Sequence, residues 1–316
     1  MTEIVFSVCR FIYSHAHHTA RGLVSKKWGI TKSSLIYLFV PLQVRQLRQL
    51  ERQLFSAWCR WLCYPSYGQQ DEQKKKQMFI QVANIVDQAL NSTSGPYFLE
   101  EFSSADVIFV PYVERMNASL FYYKGFDLRD VKAFPNISNW FDALETRETY
   151  LGTQSDFHTH CHDLPPQMGG CYENGDSIQE KYKSRIDSCV DFNLPETKIP
   201  EPSESRNFAL ERVLKHKDAI IKVNPIDEEK IDQALRAALT FMMSEKMTDI
   251  PSGSEIGLRY IMDRISVPRD MPIWSARRLR EALKTVAASA GNTQGPEIPI
   301  EHRKDQDPKW FKTQAS

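Results

Sequence analysis

The sequence has no excess of charge of either sign, Lys+Arg and Asp+Glu each numbering 40. A nucleic-acid binder concentrates basic residues on one face, whereas here both signs are mixed along nearly every candidate helix, so nucleic acid is not expected as a partner. Long apolar runs are lacking too. The longest, Leu35 to Leu42, falls short of the about 20 residues that span a bilayer, so no membrane partner is expected either. Cysteine is scarce: the six thiols, Cys9, Cys59, Cys63, Cys161, Cys171 and Cys189, are too sparse and irregular for a disulfide framework and point to a reducing compartment. No alternating strand pattern and no Gly-rich phosphate loop appear. Asp and Glu are absent between Arg10 and Arg48, a composition shared with organellar transit peptides.

What is present is helical periodicity. Hydrophobic residues make up 41% and charged residues 25%, the composition of an ordinary globular chain. Leu47, Leu50, Leu54, Trp58, Trp61 and Leu62 recur at intervals of three and four, which predicts a helix that Pro65 and Gly68 terminate. A second begins near Asp71 and carries Met78, Val82, Ile85, Val86 and Leu90. The clearest local signature is Ser103 to Asp106, a capping box in which the Ser103 hydroxyl and Asp106 carboxylate satisfy the first amides of a helix, with Phe102 and Val107 as its hydrophobic staple. That helix runs to about Tyr123 with Pro111 inside it, and another spans Ile137 to Tyr150. Pro165-Pro166 and Gly169-Gly170 predict an irregular loop over 152–175. Periodicity resumes over 178–192, 208–223, 227–247, 254–264 and 275–288, and the sequence ends in a polar tail.

Several residues carry chemistry of their own. His158, His160 and His162, with Cys161 and Cys171, have the donor types of a zinc site but not its pair-and-pair spacing, so no metal is expected and the histidines read as loop residues covering the core. Cys59 and Cys63 stand four apart beside Trp58 and Trp61 and read as buried thiols rather than a redox pair. Lys74 to Lys76 and the run Arg277-Arg278-Leu279-Arg280 read as solvated helix faces.

Gly95-Pro96-Tyr97-Phe98-Leu99, followed by Ser103-Ser104-Ala105-Asp106 and a helix through Met116, resembles the helical C-terminal domain of glutathione transferases. There, a Gly-Pro-aromatic-Leu stretch precedes a Ser-x-x-Asp capping box that nucleates the buried central helix. Asn139 to Leu144, Asp156 to Gln167, Ser266 to Met271 and His302 to Pro308 resemble a plant, algal and cyanobacterial subgroup. The resemblance implies an all-α fold, a glutathione-transferase C-terminal-like helical bundle over 44–192, a linker over 193–205, an additional helical extension over 206–290 and a tail over 291–316. It also implies that Tyr112, Arg115 and Met116 on the central helix line the pocket for a small hydrophobic or electrophilic ligand.

In the family, glutathione is the cosubstrate and is gripped by a thioredoxin-like domain placed before the helical one. Residues 1–43 are too short a segment for that domain, and Cys9 lacks the proline-aromatic-cysteine setting of a family nucleophile. The expectation is therefore a transferase-like helical domain without a glutathione site or catalytic residue of its own, binding a hydrophobic ligand or partner. The alternative is an active glutathione-dependent transferase or thiol reductase completed by a thioredoxin-like domain. The resemblance is compatible with a homodimer and with a cytoplasmic or chloroplast location.

Overall fold

In the computed structural model residues 42–291 are described, and all regular structure among them is helical. The transit-like segment, except for its last residues, and the polar tail lie outside the described residues. The helices are α1 (Leu42–Leu62), α2 (Gln69–Leu90), α3 (Ser104–Lys124), α4 (Pro135–Glu145), α5 (Glu148–Leu151), α6 (Phe157–Met168), α7 (Ser177–Asp187), α8 (Ser205–Lys222), α9 (Glu228–Ser244), α10 (Glu255–Arg264) and α11 (Ile273–Ala290). No described helix is long and apolar enough to cross a membrane.

The central helix α3 packs against α6 and α7, and α2 against α4. Its start is built by the capping box: Ala105 N donates to Ser103 Oγ at 3.2 Å, and Ser103 N donates to Asp106 Oδ2 at 2.8 Å. Asp106 is fully buried, and its other oxygen accepts from Trp140 Nε1 at 2.9 Å and Phe98 N at 3.3 Å. One carboxylate thus joins a helix start, the preceding loop and α4. The staple does not form as expected: Val107 is 42% exposed, while Phe102 packs on Tyr97 and lies under the Arg147 guanidinium. The helix ends at Gly125 in the left-handed conformation, where a β-carbon would stand 2.8 Å from the backbone nitrogen of Gln179.

In α2 the buried stripe is Phe79, Ala83, Val86 and Leu90, and Ile85 from the expected stripe is half exposed. Asp87 belongs to that buried face because it caps another helix. Its Oδ1 accepts from Asn136 N and Ile137 N, both at 2.9 Å, at the start of α4, where the N-cap residue Phe134 has no oxygen to offer. The helix expected over 137–150 is two helices, α4 and α5, because Arg147 takes extended backbone between them.

Two further expectations are corrected. The region 152–175 is not all loop: α6 occupies Phe157–Met168, started by the Asp156 carboxylate, which accepts from Thr159 N at 2.9 Å. Prolines at 165 and 166 are tolerated there because they fall in the last turn, and because the Cys161 carbonyl left without a partner by Pro165 accepts from Tyr123 Oη at 2.8 Å. The arginine run of α11 does not form a solvated face. Arg277 and Arg280 are buried, and Arg278 pairs with Glu201 and Glu281.

The four C-terminal helices share one core, in which Ile231, Leu235, Ala238 and Met242 of α9 meet Leu258 of α10 and Leu279, Leu283 and Val286 of α11. Burying such side chains contributes about 1.5–3 kcal/mol each. The segment 193–205 contains no helix before Ser205, yet it is anchored. Glu196 is buried, and its backbone carbonyl accepts from both Arg129 Nη1 and Gln154 Nε2 at 3.1 Å.

Candidate functional site

The residues expected to line a ligand pocket sit on α3, but they do not share one environment. Met116 is completely buried and offers no surface. Arg115 turns back on its own helix, donating from Nη1 to the Pro111 carbonyl at 2.6 Å. Tyr112 is half-buried and faces α1, where its ring meets Phe55 edge-on at 5.3 Å. The Arg52 guanidinium lies 4.6 Å from the Phe55 ring centroid and 4.7 Å from that of Tyr112. Two aromatic rings and one cation therefore form a platform between α1 and α3. Burial works against the Arg52 charge, but its hydrogen bonds to the adjacent Glu51 raise its pKa overall. The Arg52 side chain remains 44% exposed, so the positive group is accessible from solvent. Beneath the platform Trp58 Nε1 donates to Ser119 Oγ at 3.0 Å, which fixes α1 on α3.

Periodicity places Phe55 and Tyr112 on helices, but α1 and α3 must pack before these rings can meet. Arg52 was legible only as a charge on the first helix.

The histidines of α6 diverge. His158 and His162 are one turn apart with ring centroids at 4.5 Å, and His162 Nε2 lies 3.1 Å from Asp187 Oδ1. The other Asp187 oxygen accepts from Tyr122 Oη at 2.9 Å. His160 instead approaches Glu114, at 3.7 Å. Among the described residues no group of three or more His, Cys, Asp or Glu side chains is arranged to hold a metal ion.

Sequence reasoning missed the buried ion pairs that join α11 to the rest. Arg280 pairs with Asp156, each side chain only 2% exposed, and also donates to Ile265 O at 2.8 Å and Thr159 Oγ1 at 3.2 Å. Arg277 pairs with Glu196 and donates from Nη1 to Phe192 O at 3.2 Å. Burial raises the Asp156 pKa, but the Arg280 guanidinium and the Thr159 hydrogen bonds outweigh it and hold the carboxyl below its usual range. With His158, Cys189 and Leu194 these groups line a recess of about 20 Å³, room for roughly one water molecule and not for a substrate. The cluster is structural. A signal for it existed in the sequence, three arginines within four residues of an otherwise amphipathic helix, but the carboxylates that Arg277 and Arg280 meet lie 81 and 124 positions away.

Residues 54–150 match the profile of the family described as glutathione S-transferase, C-terminal domain. Over 74 residues the chain is 32% identical to glutathione S-transferase L2, chloroplastic, of Arabidopsis thaliana. That stretch is 23% of this chain, and it spans a quarter of the relative's length. No solved structure matches. The matched region contains the capped central helix, its Trp140 and Asp87 anchors and the Phe55 and Tyr112 rings of the platform, so over residues 54–150 the chain is similar to the glutathione S-transferase C-terminal domain.

Proposed function

We propose that the helical domain holds the apolar body of a small aromatic ligand bearing an acidic group, with Phe55 and Tyr112 as the stacking surface and Arg52 as the counter-charge. The observation that carries this reading is the Arg52 guanidinium set against both rings while still reaching solvent. Such a platform can bind and orient a ligand. It offers no group positioned to activate a thiol, which requires a hydrogen-bond donor or positive dipole fixed beside the sulfur of a bound glutathione. Under this reading the domain contributes ligand binding, and glutathione is held elsewhere. A cytoplasmic or chloroplast setting accords with the free cysteines and with the relative's printed name.

The test is fluorescence titration of the full chain with an anilinonaphthalene sulfonate, which has aromatic rings and one anionic group. Saturable binding is expected, weakened about tenfold or more by Tyr112→Ala or Phe55→Ala and less by Arg52→Gln, in line with the 1–2 kcal/mol of a stacked ring or cation pair. Binding unaffected by these changes would refute the assignment.

A second reading, a glutathione-dependent transferase or thiol reductase, is favoured by the name of the matched relative. Calorimetry separates the two. No micromolar glutathione binding is expected under the first reading, whereas such binding together with conjugation of a general electrophile would establish the second.

A further inference from the structure

Three half-buried cysteines meet where α1 ends, and none of them belongs to the aromatic platform. Cys59 and Cys63 are one turn apart, Cys63 N donating to the Cys59 carbonyl at 2.8 Å. The non-helical stretch after α6 returns to this point, where Tyr172 N donates to the Leu62 carbonyl at 2.8 Å. That bond sets Cys171 beside Cys63. The Cys63 side chain neighbours the thiols of Cys171 and Cys59, and the Lys124 ammonium, only 1% exposed at its side chain, adds positive charge nearby. Lys124 is shared with Glu72, whose Oε2 it reaches at 3.1 Å and whose Oε1 accepts from Trp61 Nε1 at 2.6 Å.

The geometry points to a dithiol site that is oxidised by hydroperoxides, with Cys63 as the attacking sulfur and Cys171 as the resolving one. The Cys63 thiolate attacks the terminal oxygen of the hydroperoxide. The O–O bond breaks, the alcohol or water leaves after taking a proton, and Cys63 becomes a sulfenic acid. The Cys171 thiol, as thiolate, then attacks the Cys63 sulfur. An S–S bond forms, the S–O bond breaks and water departs with the remaining proton. Two thiols are oxidised and one hydroperoxide is reduced.

Cys63 is the nucleophile because it stands between the other two, one turn after Cys59 and beside the segment that the Tyr172–Leu62 bond brings back, with a cation close by; the neighbouring thiols and the Lys124 charge hold its pKa below that of an ordinary thiol. Cys59 and Cys171 are pushed the other way, chiefly by the neighbouring Cys63. Resolution falls to Cys171 rather than Cys59 because residues 171–176 have no helical backbone to distort, whereas Cys59 is held inside α1. A disulfide needs an S–S distance near about 2.05 Å with a dihedral of about 90°, and the looser segment can supply it.

The full chain, reduced and then treated with one equivalent of hydrogen peroxide, is alkylated, digested and mapped by mass spectrometry. The expected product has lost about 2 Da and contains a Cys63–Cys171 linked peptide. Cys59→Ser retains the link. Cys171→Ser stops at a sulfenic acid on Cys63 that a dimedone probe traps, and Cys63→Ser gives neither product. Cys63 should also be oxidised about tenfold or more faster than Cys189, whose pKa burial raises. A Cys59–Cys63 link, no link at all, or oxidation of Cys63 no faster than of Cys189 would each overturn the proposal. Wild-type circular dichroism in each serine variant separates loss of chemistry from loss of fold.

Discussion

At the scale of single residues, the buried carboxylates do more than the apolar side chains around them to define which helix meets which. Asp106 accepts from the Ser103 and Phe98 amides and the Trp140 indole, so Asp106→Ala leaves three donors without partners in a buried site. We expect a loss of about 2 kcal/mol or more, read as a lowered thermal midpoint. An unchanged midpoint would mean that α3 does not depend on this start. Asp156 gives a pH dependence. Its folded-state pKa is depressed, so the stability it contributes is present above the unfolded value of about 3.9 and is lost as pH falls through the lower folded value. Asp156→Asn should cost about 3–5 kcal/mol at pH 7, where it strands the buried Arg280, and the gap to the wild type should narrow as both are melted towards pH 3. A gap independent of pH would show that the carboxylate is not ionised in the fold.

At the scale of elements, α6 shows why local signals mislead. Two prolines and two glycines between residues 165 and 170 are strong loop signals, and the helix ends among them, but its first two turns are stable because Asp156 caps them and Tyr123 satisfies the Cys161 carbonyl. Tyr123→Phe removes that donor while keeping the ring. It should cost about 1–2 kcal/mol, with hydrogen exchange accelerated in α6 before the rest of the bundle. If α6 exchanges at its wild-type rate, the tyrosine bond is incidental. The arginine-rich start of α11 misled in the opposite direction: charge density suggested solvent, and the distant acceptors Glu196 and Asp156 made burial possible.

At the scale of the whole molecule, residues 50–291 hold together through groups that neither half can satisfy alone. Ser155 Oγ donates to the Val267 carbonyl at 2.5 Å and Val267 N to Thr159 Oγ1 at 3.1 Å, beside the Asp156–Arg280 and Glu196–Arg277 pairs. Separating the four C-terminal helices from the helices before them would leave these buried charges unpaired. Urea unfolding should therefore be a single transition, with far-ultraviolet circular dichroism and tryptophan fluorescence superimposing, since Trp58, Trp61 and Trp140 report on one part and Trp274 on the other. Two resolved transitions would show that the junction does not couple them.

The sequence by itself determined the helical class, the position of nearly every helix and the capped start of α3, because periodicity and capping act over three or four residues of contiguous chain. It also carried the family resemblance through those same local motifs. The tertiary structure alone decided that Asp87 caps a helix 49 residues away, that Arg280 finds Asp156 across 124, and that the backbone beside Cys171 returns to the end of α1. A side chain's polar partner is a matter of distance in space, and only the packing of the helices sets which distant acceptor lies within hydrogen-bonding reach when water is excluded.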